Sequence, residues 1–325
     1  MIQTSEEPQG VDLFLPAAYD LVWTGAVLAV LVALGAAVVL AVRAATRTPS
    51  LHGLAGDDPV RRAARRHATT VSVAAATAAV LAGAVVAQAV TTAVGGLAEG
   101  VLVGLSPAVV GLTFLGAHAV GERTWPRQRT AVRAATLRPR TVDDVAPRGL
   151  RRLTWSLGAL VVLLAGVGAL TAGDDGRSVT RVLGDTTSTA SPYPGEFYGV
   201  WLALAAVLLV AGAEGVLRLV ARRPAVAQVD ETWDVALRRA SAHRVLRGAQ
   251  LALGLTAAGT VGVGANAAAR AGYPGAVVLV VAAVGLALAA VAVVVQPAPE
   301  PDDRADERAD GRTGVPTAGA GRAAR

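Results

Sequence analysis

Few of the 325 residues have types and spacings that could do chemistry, and those few fall in apolar surroundings. Glu214 stands in a run of Ala, Val and Leu with Arg218 four residues on, and His118 and Glu122 repeat that spacing. On a helix, positions four apart lie one above the other, so each pair could form an ion pair or serve a proton relay. Ionisable groups inside lipid are costly and are functional candidates by default. The competing role is anchoring, with both pairs snorkelling toward the headgroups. Neither pair lies at mid-membrane and no acidic or basic track crosses the bilayer, which favours anchoring.

Uncharged polar residues offer a second kind of chemistry. Gln88, Ser106, Thr113, Thr256, Thr260 and Asn266 could line a solute path, since transporters coordinate substrates with hydroxyls, amides and broken-helix backbone. More commonly such groups join helices to one another, at about 0.6 kcal/mol each. Pro107 is expected to bend its helix. The four histidines, His52, His67, His118 and His243, form neither an H-x-x-x-H nor an H-E-x-x-H motif. There is no cysteine, and all 30 basic residues are arginine. Disulfides, thiolate metal centres, Schiff-base lysines and phosphate-loop lysines are therefore excluded. Met1 is the only methionine, which removes thioether ligands. No cofactor, metal or catalytic constellation is expected, and the chain reads as a non-enzyme.

The elements that would position these residues are membrane helices. The chain is 53% hydrophobic and 17% charged, with a mean hydropathy of +0.50, against about 25% charged residues in soluble domains. Its apolar residues fall in blocks of about twenty, the length that crosses a bilayer. Seven spans are predicted, near Leu21 to Val42, Thr70 to Thr92, Val101 to Val120, Leu153 to Thr171, Phe197 to Val220, Ala249 to Ala269 and Gly275 to Val295. Small residues recur every fourth position in three of them, for example Ala75, Ala79, Gly83 and Ala87, or Gly254, Ala258 and Gly262, which permits close helix contact. Residues 1 to 20 carry four acids and no base, unlike the flank of a cleavable signal peptide, so the first block reads as a retained helix.

Arginine sets the expected orientation. All but three of the 30 arginines follow odd-numbered spans; the exceptions are Arg177, Arg181 and Arg270. This puts the N-terminus outside and the C-terminus in the cytoplasm. The aromatic residues agree, with Tyr19, Trp23, Phe197, Tyr198, Trp201 and Tyr273 at the outer boundary, Trp125 and Trp155 at the inner one, and Phe114 deep.

The basic segments resemble one another. R-A-A-T-R-T-P at Arg43 to Pro49 is followed by Asp57-Asp58 and Arg61-Arg62. R-A-A-T-L-R-P at Arg133 to Pro139 is followed by Asp143-Asp144 and Arg151-Arg152. Arg223-Pro224, Asp230-Glu231 and Arg238-Arg239 form a third copy. Duplication of a helix, basic loop, helix unit would explain this. So would convergence, with proline ending a helix, an acid capping the next and arginine holding the loop inside. Short helices are expected in these loops: one starting at Pro59 after Asp58, and one capped by Thr232 with Asp234 and Arg238 paired, its Trp233 and Leu237 lying on the anionic inner leaflet or solvated as a connector.

The chain thus reads as an all-α, polytopic membrane helical bundle of about seven transmembrane helices. Residues 1–20 are a short extracytoplasmic segment and 21–295 the membrane domain. Within that domain, cytoplasmic loops cover 43–69, 121–152 and 221–248, and a polar outer connector covers 172–196. Residues 296–325 are a tail expected to be disordered. Arginine without lysine, beside abundant Ala, Val and Gly, suggests a GC-rich bacterial genome, and the expected location is the plasma membrane. The expected role is a scaffold, accessory subunit or interaction partner. Its partners would be the bilayer, anionic inner-leaflet lipids and another membrane protein, and not nucleic acid. A small-solute or proton-coupled transporter is the alternative.

Overall fold

The computed structural model describes residues 59–92, 96–125, 140–226 and 231–295. The predicted first span, the N-terminal segment, the tail and the two R-A-A-T motifs lie outside the described residues. Within them the chain is helical, with α1 (Pro59–Thr92), α2 (Leu97–Arg123), α3 (Val142–Val145), α4 (Arg148–Thr171), α5 (Glu196–Arg222), α6 (Glu231–Arg270) and α7 (Ala276–Val295). Six of these, all but the single turn α3, are long and apolar enough to cross a membrane. They contain the predicted second to seventh spans. Pro107 sits inside α2, which runs on as one helix from Leu97 to Arg123.

Hydrocarbon surroundings change which residues face inward. The outward faces carry Val and Leu, with Leu170 88% and Val278 69% exposed, because lipid solvates branched side chains as well as a protein core does. The interior is built from small residues such as Ala206, Ala213, Ala249, Ala252 and Ala257, with Leu209, Leu217 and Leu253 between them. Gly111 of α2 faces Ala252 and Leu209, Gly158 of α4 faces Val210, and Gly254 of α6 faces Ala290 of α7. The small-residue ridge of the sixth span therefore lies in a helix contact. In the second span the ridge meets the neighbouring helix as far as Gly83, which faces Val110 of α2, while Ala87 is exposed.

Packing is most extensive between α1 and α2, α4 and α5, and α6 and α7. Each pair is joined at the pole that carries few arginines, where connections are short or pinned by a hairpin. Helices joined through the basic segments pack together less, so the contacts do not follow the helix, basic loop, helix unit read from the sequence.

One expectation about a connecting segment is corrected. The third basic loop, expected over 221–248, is helix from Glu231 onward, continuous with the sixth span in a 40-residue α6. At 1.5 Å per residue this helix is about 60 Å long, twice the apolar thickness of a bilayer. The apolar face of its first half packs on the protein, while Glu231, Thr232 and Arg239 stay exposed. Trp233 and Leu237 are buried against Ala64 and Ala68 of α1, together with Trp125 and Val226. Trp125 is thus a core residue, whereas Trp155 and Trp201 remain about half exposed.

The outer connector is ordered as an antiparallel hairpin, β1 (Val179–Leu183) with β2 (Thr186–Ala190), pairing Val179 with Ala190 and Leu183 with Thr186. Gly184 turns the hairpin at φ 57°, a conformation that suits residues lacking a Cβ. Val179, Ala190 and Tyr193 pack on Ala267 and Ala271 at the end of α6. The Tyr273 hydroxyl donates to the Thr180 carbonyl at 2.9 Å, and the Arg181 guanidinium lies 5.4 Å from the centre of the Tyr273 ring.

Candidate functional site

The arginine-bearing helix ends converge at one pole, where most of the buried charge is found. Glu214 lies two turns before the end of α5 and is buried. Its partner is not Arg218, which points outward and attracts it only at longer range. Arg151 of α4 clamps it instead, with Nε donating to Oε1 at 2.6 Å and Nη2 to Oε2 at 3.0 Å. The Trp155 indole donates to Oε1 at 3.0 Å. Arg151 Nη1 also reaches Asp143 at 2.7 Å. A carboxylate near the end of one helix is thus fixed to the start of another, and Asp143, from the acid pair of the second basic segment, binds the same guanidinium.

His118 and Glu122 are both buried in α2. The His118 ring stacks edge-on against Phe114, with centroids 4.6 Å apart. Glu122 is bound across helices by Arg223, which follows the end of α5, with Nη1 3.4 Å from Oε2. The Arg223 guanidinium lies 4.0 Å from the centre of the Trp125 ring, a stacked cation–π contact. One turn above Trp125, the Gly121 carbonyl is 3.0 Å from His67 Nε2 of α1.

Arg238 of α6 holds the end of α5. Its Nη1 donates to the carbonyls of Val220 and Ala221 at 2.8 and 3.1 Å, and its Nη2 to that of Arg223 at 2.9 Å. Its Nε donates to Asp234 at 2.8 Å, so the i, i+4 pair expected from the sequence is present. The last carbonyls of a helix lack partners within it, and here a buried guanidinium from a neighbouring helix supplies them. Arg140 adds a second cation to Asp234 at 3.0 Å and reaches Glu231 at 3.1 Å. On α6, Arg247 lies 3.2 Å from His243, and Gln250 donates to the Leu150 carbonyl of α4 at 2.7 Å.

The remaining candidates do not join this cluster. Gln88 is exposed near the opposite end of α1, and Asn266 is half-buried near the opposite end of α6. Ser106, Thr113, Thr256 and Thr260 each donate to a carbonyl three or four residues back on their own helix, at 2.7 to 2.8 Å. They join no helices and present no donor row to a solute. Among the described residues no group of three His, Cys, Asp or Glu is placed to hold a metal ion.

Sequence reasoning missed Arg151, Arg223, Arg238 and Arg244 as site residues, because arginines beside spans read as topology signals. The usable clue was the paired acids eight residues before Arg151 and Arg238.

Comparison with protein-family models, with curated proteins and with solved structures finds no match. Among the described residues at this pole, ion pairs and guanidinium bonds join α4 to α5, α2 to the end of α5, and α6 to the end of α5.

Proposed function

We propose that this chain is a non-enzymatic integral membrane protein of a bacterial plasma membrane, acting as a scaffold, accessory subunit or interaction partner through an arginine-rich cytoplasmic face. The reading of seven helices rests on the apolar blocks of the sequence, and that of an N-terminus outside and a C-terminus inside rests on the arginine asymmetry. The observation that carries the reading is the cross-helix fixing of buried charge at one pole: Arg151 to Glu214, Arg223 to Glu122, and Arg238 to the end of α5. Such bonds stiffen a platform and hold its basic surface in register for anionic lipid and a membrane-protein partner.

Purification of the full chain from its own membrane in mild detergent tests the role. Recovery of a stoichiometric membrane-protein partner supports it, and recovery of the chain alone counts against it. A reporter fused to either end tests the threading, and an N-terminus inside the cell overturns that part.

The transporter alternative is disfavoured by two features. The hydroxyls of α2 and α6 bond their own helices, and Glu214 is held by a bidentate clamp with an added indole bond rather than left to exchange protons. Equal solute uptake by reconstituted wild-type protein and a Glu214→Gln variant would rule out proton coupling through that carboxylate.

A further inference from the structure

Two arginines at the basic pole offer the same edge to very different surroundings. Arg151 uses its Nε and Nη2 hydrogens side by side to grip both oxygens of Glu214. This is the two-pronged geometry that fits carboxylate and phosphate. Arg223 presents the same two atoms, Nε and Nη2, buried and with no hydrogen-bond acceptor among the described residues. Its side chain has 0% exposure, so water does not satisfy that edge from the surface. Glu122 engages only Nη1, at a loose 3.4 Å. The Trp125 ring covers one face of the guanidinium.

Neighbouring groups extend the same deficit. Arg244, one turn along α6 from Arg247, feels the charges of both Glu122 and Arg223, and its Nε is buried without an acceptor. His118, one turn above Glu122 on α2, feels the charge of Arg244 and has an unbonded, buried Nε2. In charge, Arg223, Arg238 and Arg244 outnumber Glu122 and Asp234. A buried cation held by one loose partner is costly, and unmade buried hydrogen bonds add to that cost. One anion with several oxygens would answer both deficits.

We propose that Arg223, Arg244 and His118 form a binding site for a phosphate group, with the Nε–Nη2 edge of Arg223 as its bidentate anchor and Glu122 steadying that guanidinium from its other side. Phosphate fits better than a carboxylate because it offers oxygens to both guanidiniums and the imidazole at once. Arg223 directly follows the last residue of α5, at the helix-end depth where lipid phosphates lie. The phosphate is that of a lipid headgroup or of a free phosphate anion. The inference deepens the proposed role and rests on it only for placing this pole at a membrane surface.

The test uses the full chain, delipidated in detergent. Phosphatidylglycerol and a diacylglycerol with the same tails are titrated and read by native mass spectrometry, and inorganic phosphate is titrated and read by Tm. The variants are Arg223→Lys, which keeps the charge but loses the fork, and Arg222→Gln, which removes a charge from the exposed neighbouring position. Wild type is expected to prefer phosphatidylglycerol to diacylglycerol, or to gain Tm with inorganic phosphate by mass action. Arg223→Lys should weaken that response about tenfold or more, the value of one charge-assisted hydrogen bond, and Arg222→Gln should leave it within about twofold. A response to lipid alone names a headgroup, and a response to inorganic phosphate alone names a free anion. Wild-type behaviour of Arg223→Lys, equal losses in both variants, or no response to either probe overturns the site. If circular dichroism shows Arg223→Lys unfolded, Arg244→Lys is read in the same assays. Partner recovery is scored in parallel: phosphate binding without a partner sinks the scaffold role alone, and a partner without phosphate binding sinks this site alone.

Discussion

The carboxylate of Glu214 on α5 and the guanidinium of Arg151 on α4 meet edge to edge, through two hydrogen bonds of 2.6 and 3.0 Å. Removing the carboxylate strands a guanidinium whose side chain is 30% exposed and can turn partly to water. The loss is therefore that of a charge-assisted hydrogen bond, about 1.5–3 kcal/mol, rather than that of a fully buried pair. Glu214→Ala should lower Tm in detergent accordingly, and a double-mutant cycle with Arg151→Met should show coupling of about 0.5–3 kcal/mol. Arg218→Gln should change stability by no more than about 0.5 kcal/mol. A larger effect for Arg218 than for Arg151 would restore the i, i+4 pairing that the sequence suggests.

Arg238 makes four hydrogen bonds from a fully buried position, three of them to carbonyls at the end of α5. Arg238→Met would leave those carbonyls dry and unbonded, with Arg140 as the remaining cation on Asp234. The expected loss is about 3–5 kcal/mol. Arg238→Lys keeps the charge but lacks the planar fork that serves several acceptors, so it should fall between Met and wild type. Arg239→Gln, at the exposed next position, is the control. Thermal unfolding of the four proteins checks the order, and a lysine variant as stable as wild type would show that the capping bonds contribute little.

Which parts of this arrangement the sequence foretold follows from what local patterns report. Hydropathy locates spans because crossing a bilayer demands about twenty apolar residues whatever their neighbours, and the second to seventh spans lie in the helices found. Pro59 is the first described residue of α1, and the helix start expected at Asp58 lies outside the described residues. Charge partners are a tertiary matter. Glu214 has Arg218 one turn away and Arg151 63 residues away, and only the packing of α4 on α5 decides between them. The start of α6 was misplaced for the same reason. Trp233 and Leu237 form an apolar stripe among arginines, which suits a lipid surface as well as it suits α1. Composition cannot separate the two when the buried arginines spend their donors on a neighbouring helix end.

Close contact between α2 and α6 depends on Gly248, where a Cβ would run into the Phe114 ring. Phe114 in turn stacks on His118, so a side chain at 248 should shift the ring and the imidazole together. Gly248→Val should cost about 1–3 kcal/mol by overpacking, although valine adds apolar volume to a membrane helix. Gly116, with open space around it, should accept alanine with little change. Tm in detergent separates the two cases, and equal tolerance at both positions would mean that the helices are not in contact at Gly248.

At the opposite pole, Asp175 organises the turn that leads into the hairpin. Its Oδ1 accepts hydrogen bonds from the Arg177 amide at 3.0 Å, the Ser178 amide at 2.9 Å and the Ser178 hydroxyl at 2.8 Å. The Arg177 amide first, and then the Ser178 hydroxyl, hold its carboxyl below the usual carboxylate range. A carboxyl depressed in the folded state contributes stability that is present above its unfolded value, near 3.9, and is lost as pH falls through the folded value. Asp175→Asn keeps the shape without the charge. The Tm difference between wild type and Asp175→Asn should therefore be open at neutral pH and narrow as pH falls below about 4. A difference that stays constant through that range would show that the carboxylate charge plays no part in holding the turn.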